Sequence, residues 1–219
     1  MSVITISGEF GSDASRTAQQ VAQSLGYHYV DRAIIEKILD EYGLVQFKDM
    51  YESMSSIWTR FDNLRGGMTD MLNRTIRAVA RHGNVVIQGR GGYAVLGGYA
   101  DVLNVRIQAP LAVRVQRVMQ RSGITDQAQA EAEVRQYDRV RRTFVEYSYQ
   151  VAWNDTDAFN LVIDTSVVPV DAAVEWIVQA HRFMAARERV DEPRARDIEA
   201  DEVLADVVAT ALPCTASHA

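Results

Sequence analysis

A chain of 219 residues is the size of one α/β domain, or of a domain with a tail. With 47% apolar and 24% charged residues it has the balance of a globular protein and not a disordered one, and no stretch approaches the roughly 18 consecutive apolar residues of a membrane span. A net charge of −6 argues against a general nucleic-acid binder, which draws phosphates to a basic surface. The single cysteine, Cys214, excludes an intrachain disulfide; with no basic segment leading into an apolar run at the N-terminus, this points to the cytoplasm.

Val3 to Ser7 reads as a short buried strand, broken by Gly8 and Gly11. A helix over Ala14 to Leu25 follows, with Ala18, Val21, Ala22 and Leu25 at helical spacing and Gly26 where a left-handed cap is favoured. Tyr27 to Asp31 is a second strand and Ala33 to Tyr42 a second helix. Leu44 to His82 is mostly helical, with a break predicted at Gly66-Gly67, and reads as an inserted pair of helices. Asn84 to Gln88 is a third strand ending in Gly89-Arg90-Gly91-Gly92, and Val102 to Ala109 a fourth. A helix opens at Pro110, another spans Asp126 to Tyr149, Asn160 to Thr165 is a fifth strand, and Val170 to Ala186 a closing helix. Beyond it, residues 187–219 are acidic. Val203, Leu204, Val207, Val208 and Leu212 suit one amphipathic helix, against the equally weighted reading of a poorly ordered tail.

Short apolar strands alternating with helices imply a parallel sheet covered on both faces. Ligands of such sheets bind beyond the carboxyl ends of the strands, and here those ends carry Gly8 to Ser12, Asp31-Arg32 and Gly89 to Gly92. The first turn has the recipe for an anion site, a strand, a glycine-bearing loop and a helix N-terminus. Against G-x-x-x-x-G-K-[ST], Gly8 is the first glycine and Ser15 the hydroxyl that approaches magnesium, while Asp13 replaces the second glycine and Ala14 the lysine. Ser12 or Asp13 as a plain helix cap is the competing reading. A carboxylate about 4 Å from a phosphate costs about 4 kcal/mol at an effective dielectric of 20. Asp13 therefore turns away, is compensated by a metal ion or Arg16, or weakens nucleotide binding.

Ile4 to Ser12, Gly26 to Arg32, Val86 to Gly91, Ala109 to Met119, Tyr137 to Arg141 and Ile163 to Ser166 stand in an order that resembles the cytidylate-kinase-like family, over roughly residues 3 to 180. Members of that family commonly read Arg-Glu-Phe-Gly-Ser-Gly-Gly-Arg in the first loop. The resemblance implies a P-loop NTPase-type five-stranded parallel sheet with helices on both faces, forming one domain over residues 1–186. A nucleoside-monophosphate insert falls at about 44–82 and a helical, arginine-bearing lid at about 126–150. It implies transfer of the γ-phosphoryl group of ATP, with Mg2+, to a nucleoside monophosphate or another small acceptor. Nucleotide substrates are then the partners, with neither nucleic acid nor membrane.

The phosphate-loop reading gives Gly8, Gly11, Ser12, Ser15 and Arg16 to the donor phosphates, with Ser15 also for magnesium. The resemblance gives Asp31 and Arg90 to the acceptor, Asp138 and Arg141 as a lid pair on the acceptor's sugar and phosphate, and Arg139 to the transferred group, with Arg139 and Arg141 as the catalytic pair. Gly91 stands where cytidylate kinases carry an aspartate that helps recognise cytosine. Arg114, Arg117 and Arg121 read as a basic helix face, Asp164 as a turn or cap, and His28 and His82 as structural. The apolar positions Trp58, Phe61, Leu64, Met68 and Met71 suit either covering the site or a homodimer. A non-catalytic nucleotide sensor or scaffold of the same fold is the alternative function, favoured by Asp13. A dinucleotide-binding oxidoreductase is disfavoured, because the first turn lacks G-x-G-x-x-G.

Overall fold

The computed structural model describes residues 2–43, 62–187 and 192–212. Five parallel strands form one sheet: β1 (Val3–Gly8), β2 (His28–Val30), β3 (Val85–Gln88), β4 (Val102–Gln108) and β5 (Leu161–Asp164), in spatial order β2-β3-β1-β4-β5. Val3 pairs with Val85 on one side and Val102 on the other, and Ser7 stands opposite Arg106. The helices are α1 (Ala14–Leu25), α2 (Arg32–Glu41), α3 (Asp62–His82), α4 (Gly92–Leu96), α5 (Leu111–Ser122), α6 (Gln127–Tyr149), α7 (Val170–Ala186) and α8 (Glu202–Ala211). None of the described helices is long and apolar enough to cross a membrane.

Strand alternation divides the interior into two cores. Ile4, Ile6, Val86, Leu103, Val105 and Ile107 pack with Ala18 and Val21 of α1 and Ile177 of α7. On the other face Val3, Val85, Ile87 and Val102 meet Ile38, Leu72, Ile76, Tyr93 and Trp153. The second face also carries a polar seam along the centre of the sheet. Thr5 Oγ1 donates to Asn104 Oδ1 at 2.6 Å, and the next pair up is Ser7 and Arg106. A third, smaller core joins α5 and α6 through Val115, Val118, Ala130 and Val134.

The helix boundaries follow local chemistry. Gly26 closes α1 at φ 66°, its N–H reaching Ala22 and Gln23 carbonyls. Asp31 caps α2, Asp126 caps α6 and Asp201 caps α8, each by accepting backbone N–H bonds. The break predicted at Gly66-Gly67 is absent: α3 runs through both glycines. Each costs about 1 kcal/mol relative to alanine, which the buried Leu72, Ile76 and Val79 further along the same helix outweigh. Trp58 and Phe61 lie outside the described residues, while Met68 and Met71 are half-buried against the second core. In the acidic C-terminal segment α8 is packed, not loose, with Leu204, Val208 and Leu212 buried against α2 and α3.

Candidate functional site

The carboxyl ends of β1 and β3 open into a cavity of about 240 Å3. Ser7 and Gly8 come from β1, Gln88, Gly89, Arg90 and Gly91 from the β3 turn, and Arg32 from the start of α2. Tyr137, Val140, Arg141, Phe144 and Val145 close it from α6, with Tyr93 and Trp153 completing the lining. An open cleft of about 620 Å3 lies at the opposite rim, beside Val102 and Leu161 at the amino ends of β4 and β5. It is the larger of the two, but it lies at the sheet edge away from the phosphate-type turns, so the smaller cavity is the candidate site.

The phosphate-type loop is tightly built. A Cβ on Gly8 would collide with Ala14 Cβ and stand 3.0 Å from the Ile107 carbonyl oxygen, so only glycine fits there. Ser12 is buried; its Oγ donates to the Glu9 carbonyl at 2.7 Å, so its side chain shapes the loop. Thr165 Oγ1 donates to the Ser12 carbonyl at 2.8 Å, tying the loop to the end of β5. The backbone N–H groups of Gly11, Asp13, Ala14, Ser15 and Arg16 donate to no group among the described residues, an arrangement suited to anionic oxygens. Ser15 and Arg16 are exposed on the first turn of α1, with Ser15 beside the Tyr29 hydroxyl.

Asp13 sits at φ 67°, where glycine is the usual residue. Its side chain makes no cap bond and instead meets Arg117 Nη1 at 3.2 Å and Arg121 Nη2 in a short contact. The compensation comes from α5 and not from Arg16, and the repulsion expected of an unpaired carboxylate is removed. The basic-face reading of Arg114, Arg117 and Arg121 is therefore corrected. Arg117 also donates to Thr165 Oγ1 at 3.0 Å and to its carbonyl at 2.7 Å. Arg114 is buried and donates to the Ala109 and Phe10 carbonyls at 2.9 and 3.1 Å and to Asp138 Oδ2 at 2.6 Å.

Among the residues expected on the acceptor side, Arg90 sits at φ 55° in the cavity wall with its side chain buried and Nη2 3.2 Å from Glu36 Oε1. The same oxygen accepts from Arg32 Nε at 2.6 Å, so one carboxylate sets two guanidinium groups on the cavity rim. Asp31 Oδ1 accepts from Ala33 N and Ile34 N, fixing the start of the helix that carries Arg32 and Glu36. Asp138 is buried beneath the loop, where Oδ1 accepts from Phe10 N at 2.9 Å. Arg141 reaches from α6 to the Gly8 carbonyl at 3.3 Å, its guanidinium 5.5 Å from the Phe10 ring centre. Arg139 is on an exposed side of α6 and does not line the cavity. Asp164 makes a turn, accepting from Ser166 N and Oγ.

Gly91 is at φ 71°, and a Cβ there would collide with the Tyr149 ring, whose hydroxyl donates to Asn73 Oδ1 at 3.0 Å. Tyr149 thus fills the space into which a side chain at position 91 would project. Arg32 stands at the polar end of β2 that the sequence pattern marks, and Glu36 follows it at helical i,i+4 spacing, the one local signal for that carboxylate; Tyr93 and Trp153 have none in local pattern.

A profile of the Cytidylate kinase-like family matches residues 3–167. Among curated relatives, a cytidylate kinase of Ignicoccus hospitalis is 33% identical over 184 residues, covering 81% of this chain and 97% of that protein. One of Aeropyrum pernix is 32% identical over 181 residues, covering 81% and 97%. Among solved structures, a protein from Eubacterium ventriosum described as uncharacterized superposes with a TM-score of 0.61 at 18% identity, covering 85% of this chain and 100% of that one. A gluconokinase from Sinorhizobium meliloti 1021 does so with 0.54 at 14%, covering 84% and 93%. A sheet, a glycine-shaped phosphate-type loop and an arginine-lined cavity agree with a sequence match spanning most of the chain: it belongs to the cytidylate kinase-like family.

Proposed function

We propose that this chain is a kinase that passes the γ-phosphoryl group of ATP, with magnesium, to a nucleoside monophosphate of the cytidylate type. The observation that carries this reading is the meeting of Arg32, Arg90 and Arg141 in one cavity that begins at Gly8 of the phosphate-type loop. Phosphoryl transfer rests on positioning and on neutralising charge spread over phosphate oxygens. Guanidinium groups suit this because they grip oxygens in pairs and stay charged.

The donor phosphates fit the amides of Gly11 and of Asp13 to Arg16 at the start of α1. The glycine-only packing at Gly8 lets the loop close tightly against Ala14 and the Ile107 carbonyl, which sets those amides. The exposed Ser15 hydroxyl is the group placed to reach magnesium, which when bound neutralises charge on the donor phosphates; such an ion is held mostly by phosphate and water. Arg141, standing between loop and cavity, faces the transferred group. Arg90 and Arg32, set by Glu36, bind the acceptor phosphate, with Asp31 and Asp138 as positioning residues. Arg139 joins them only if α6 shifts toward the loop.

The non-catalytic sensor is the second reading. The observation favouring it is that Asp13 ties up Arg117 and Arg121 beside the phosphate-type loop. The test is a panel of nucleoside monophosphates and small phosphoryl acceptors with ATP and magnesium. Turnover of at least one, abolished by Arg90→Ala, supports the kinase. Binding of ATP without turnover of any acceptor supports the sensor.

A further inference from the structure

Helix α7 turns Ala173, Val174, Ile177 and Val178 into the first core. Its outward face carries Glu175, Trp176, Gln179, Arg182 and Phe183. Trp176 is 51% and Phe183 74% exposed. Aromatic rings of that size are enriched where two proteins meet. The phosphate-end cavity does not account for them, since no residue of α7 lines it.

The arrangement of the five side chains is self-complementary. At about 100° and 1.5 Å per residue around and along the helix, Gln179 stands at the middle of the outward face. Trp176 and Phe183 fall on one flank of it, and Glu175 and Arg182 on the other. A two-fold axis crossing α7 at Gln179 sets a second copy antiparallel, with each flank against the same flank of its mate. Trp176 of one copy then lies level with Phe183 of the other to within about 1.5 Å, and Glu175 lies level with Arg182 equally closely. A parallel pairing would instead turn the aromatic flank onto the charged one. Along the centre line Ala172 comes opposite Ala186, both too small to hold the helices apart, and the Gln179 amide meets its own copy, where it can donate and accept.

Two further observations fit the same occupant. Among the described residues neither Glu175 nor Arg182 is in an ion pair. With one acid and one base the outward face has no net charge, which suits a copy of itself and not a polyanion or an anionic lipid surface. The aromatic flank also borders the open cleft of about 620 Å3, whose wall includes Ala180, Phe183 and Met184. In the antiparallel pairing Trp176 of the second copy comes level with the stretch from Ala180 to Met184, so the cleft receives its ring.

We infer that two copies of this chain associate through α7 as an antiparallel, two-fold symmetric pair. Trp176 packs on Phe183 at the mouth of the cleft, and Glu175 meets Arg182 of the opposite copy. Each surface is used twice, as a closed two-fold interface requires, and both phosphate-end cavities stay open.

Sedimentation of the full chain over about 1 to 100 µM tests this, because a single pair of helices is a small interface with a dissociation constant in the micromolar range. The mass rises with concentration from 24.5 kDa to twice that value. Phe183→Ser and Trp176→Ala each weaken dimerisation by about a hundredfold. Both side chains are more than half exposed, so the variants keep the circular dichroism of wild type. Glu175→Arg alone and Arg182→Glu alone each weaken it by about tenfold, since like charges then meet twice across the axis. The double variant Glu175→Arg/Arg182→Glu recovers to within about threefold of wild type. A mass of 24.5 kDa at every concentration overturns the inference and leaves the face to a different partner. Dimerisation indifferent to both aromatic variants overturns it as well, by placing the contact off α7. No recovery in the double variant overturns the antiparallel register.

Discussion

Asp138 and Phe10 are joined across 128 positions of sequence, the Phe10 N–H donating to Oδ1 of the carboxylate at 2.9 Å. Because the other carboxylate oxygen holds the buried Arg114, one side chain fixes the height of the phosphate-type loop relative to both α5 and α6. Asp138→Ala leaves that guanidinium without its nearest counter-charge, and loss of one partner from a buried pair costs about 3 kcal/mol or more. Chemical denaturation should register that loss. Asp138→Asn, which keeps an acceptor for Phe10 N, should cost less. Equal losses would mean that the ion pair, removed in both variants, dominates and the loop bond adds little.

At Asp13 the wild-type residue combines a left-handed backbone with a two-arginine contact. Asp13→Gly removes the backbone cost and returns Arg117 and Arg121 to the neighbourhood of the loop as unpaired cations. Titration with ATP and magnesium should show about tenfold tighter binding, in line with screened charge interactions at such distances. Weaker binding would show that the carboxylate organises the loop instead of competing with phosphate.

Arg139 and Arg141 lie two positions apart on α6 and face different surroundings, the first exposed and the second at the cavity. Arg141→Ala should lower kcat by about a hundredfold, the scale for losing a group that stabilises transferred charge, with Arg139→Ala within about threefold of wild type. Comparable losses would place a movement of α6 within the catalytic cycle.

His181 is buried, and its Nε2 shares a hydrogen bond with the Tyr27 hydroxyl at 3.0 Å. Burial holds its pKa below the ordinary 6.5. The unfolded chain therefore binds more protons between that lowered value and about 6.5. The stabilisation is fully present above 6.5 and is lost as pH falls through the window. Melting temperatures from pH 7 to pH 5 should decline more steeply for wild type than for His181→Gln. Identical slopes would exclude this histidine as the source. His28, also lowered by burial, contributes a remaining slope of the same sign.

The sheet was legible because each strand is a short apolar run and each following helix repeats at i, i+3 and i+4, signals confined to a window of about ten residues. The ends of β1 and β3 were legible as site elements for the same reason, since glycine punctuates them. What could not be read locally depends on distant partners. Nothing near Arg114 indicates that its counter-charge is Asp138, and nothing near Asp13 points to α5. The same holds for Arg106, whose aromatic neighbours Trp153 and Phe159 arrive from a loop about fifty residues on. Gly66-Gly67 misled in the opposite direction, because local propensity was overruled by the apolar face further along α3.

The segment from Ala195 to Leu212 supplies five buried side chains to a core that includes Ile38, Leu39 and Leu72, which precede it by more than a hundred residues. During synthesis the wall of that core made by α2 and α3 stays uncovered until α8 leaves the ribosome. The half of the sheet bearing Ile4, Ile6 and Ile107 can close earlier, once α7 is out. The polypeptide thus matures in two stages. A nick or frameshift near Asp201 would leave a protein with its phosphate-type loop formed and a greasy flank open to chaperones and proteases.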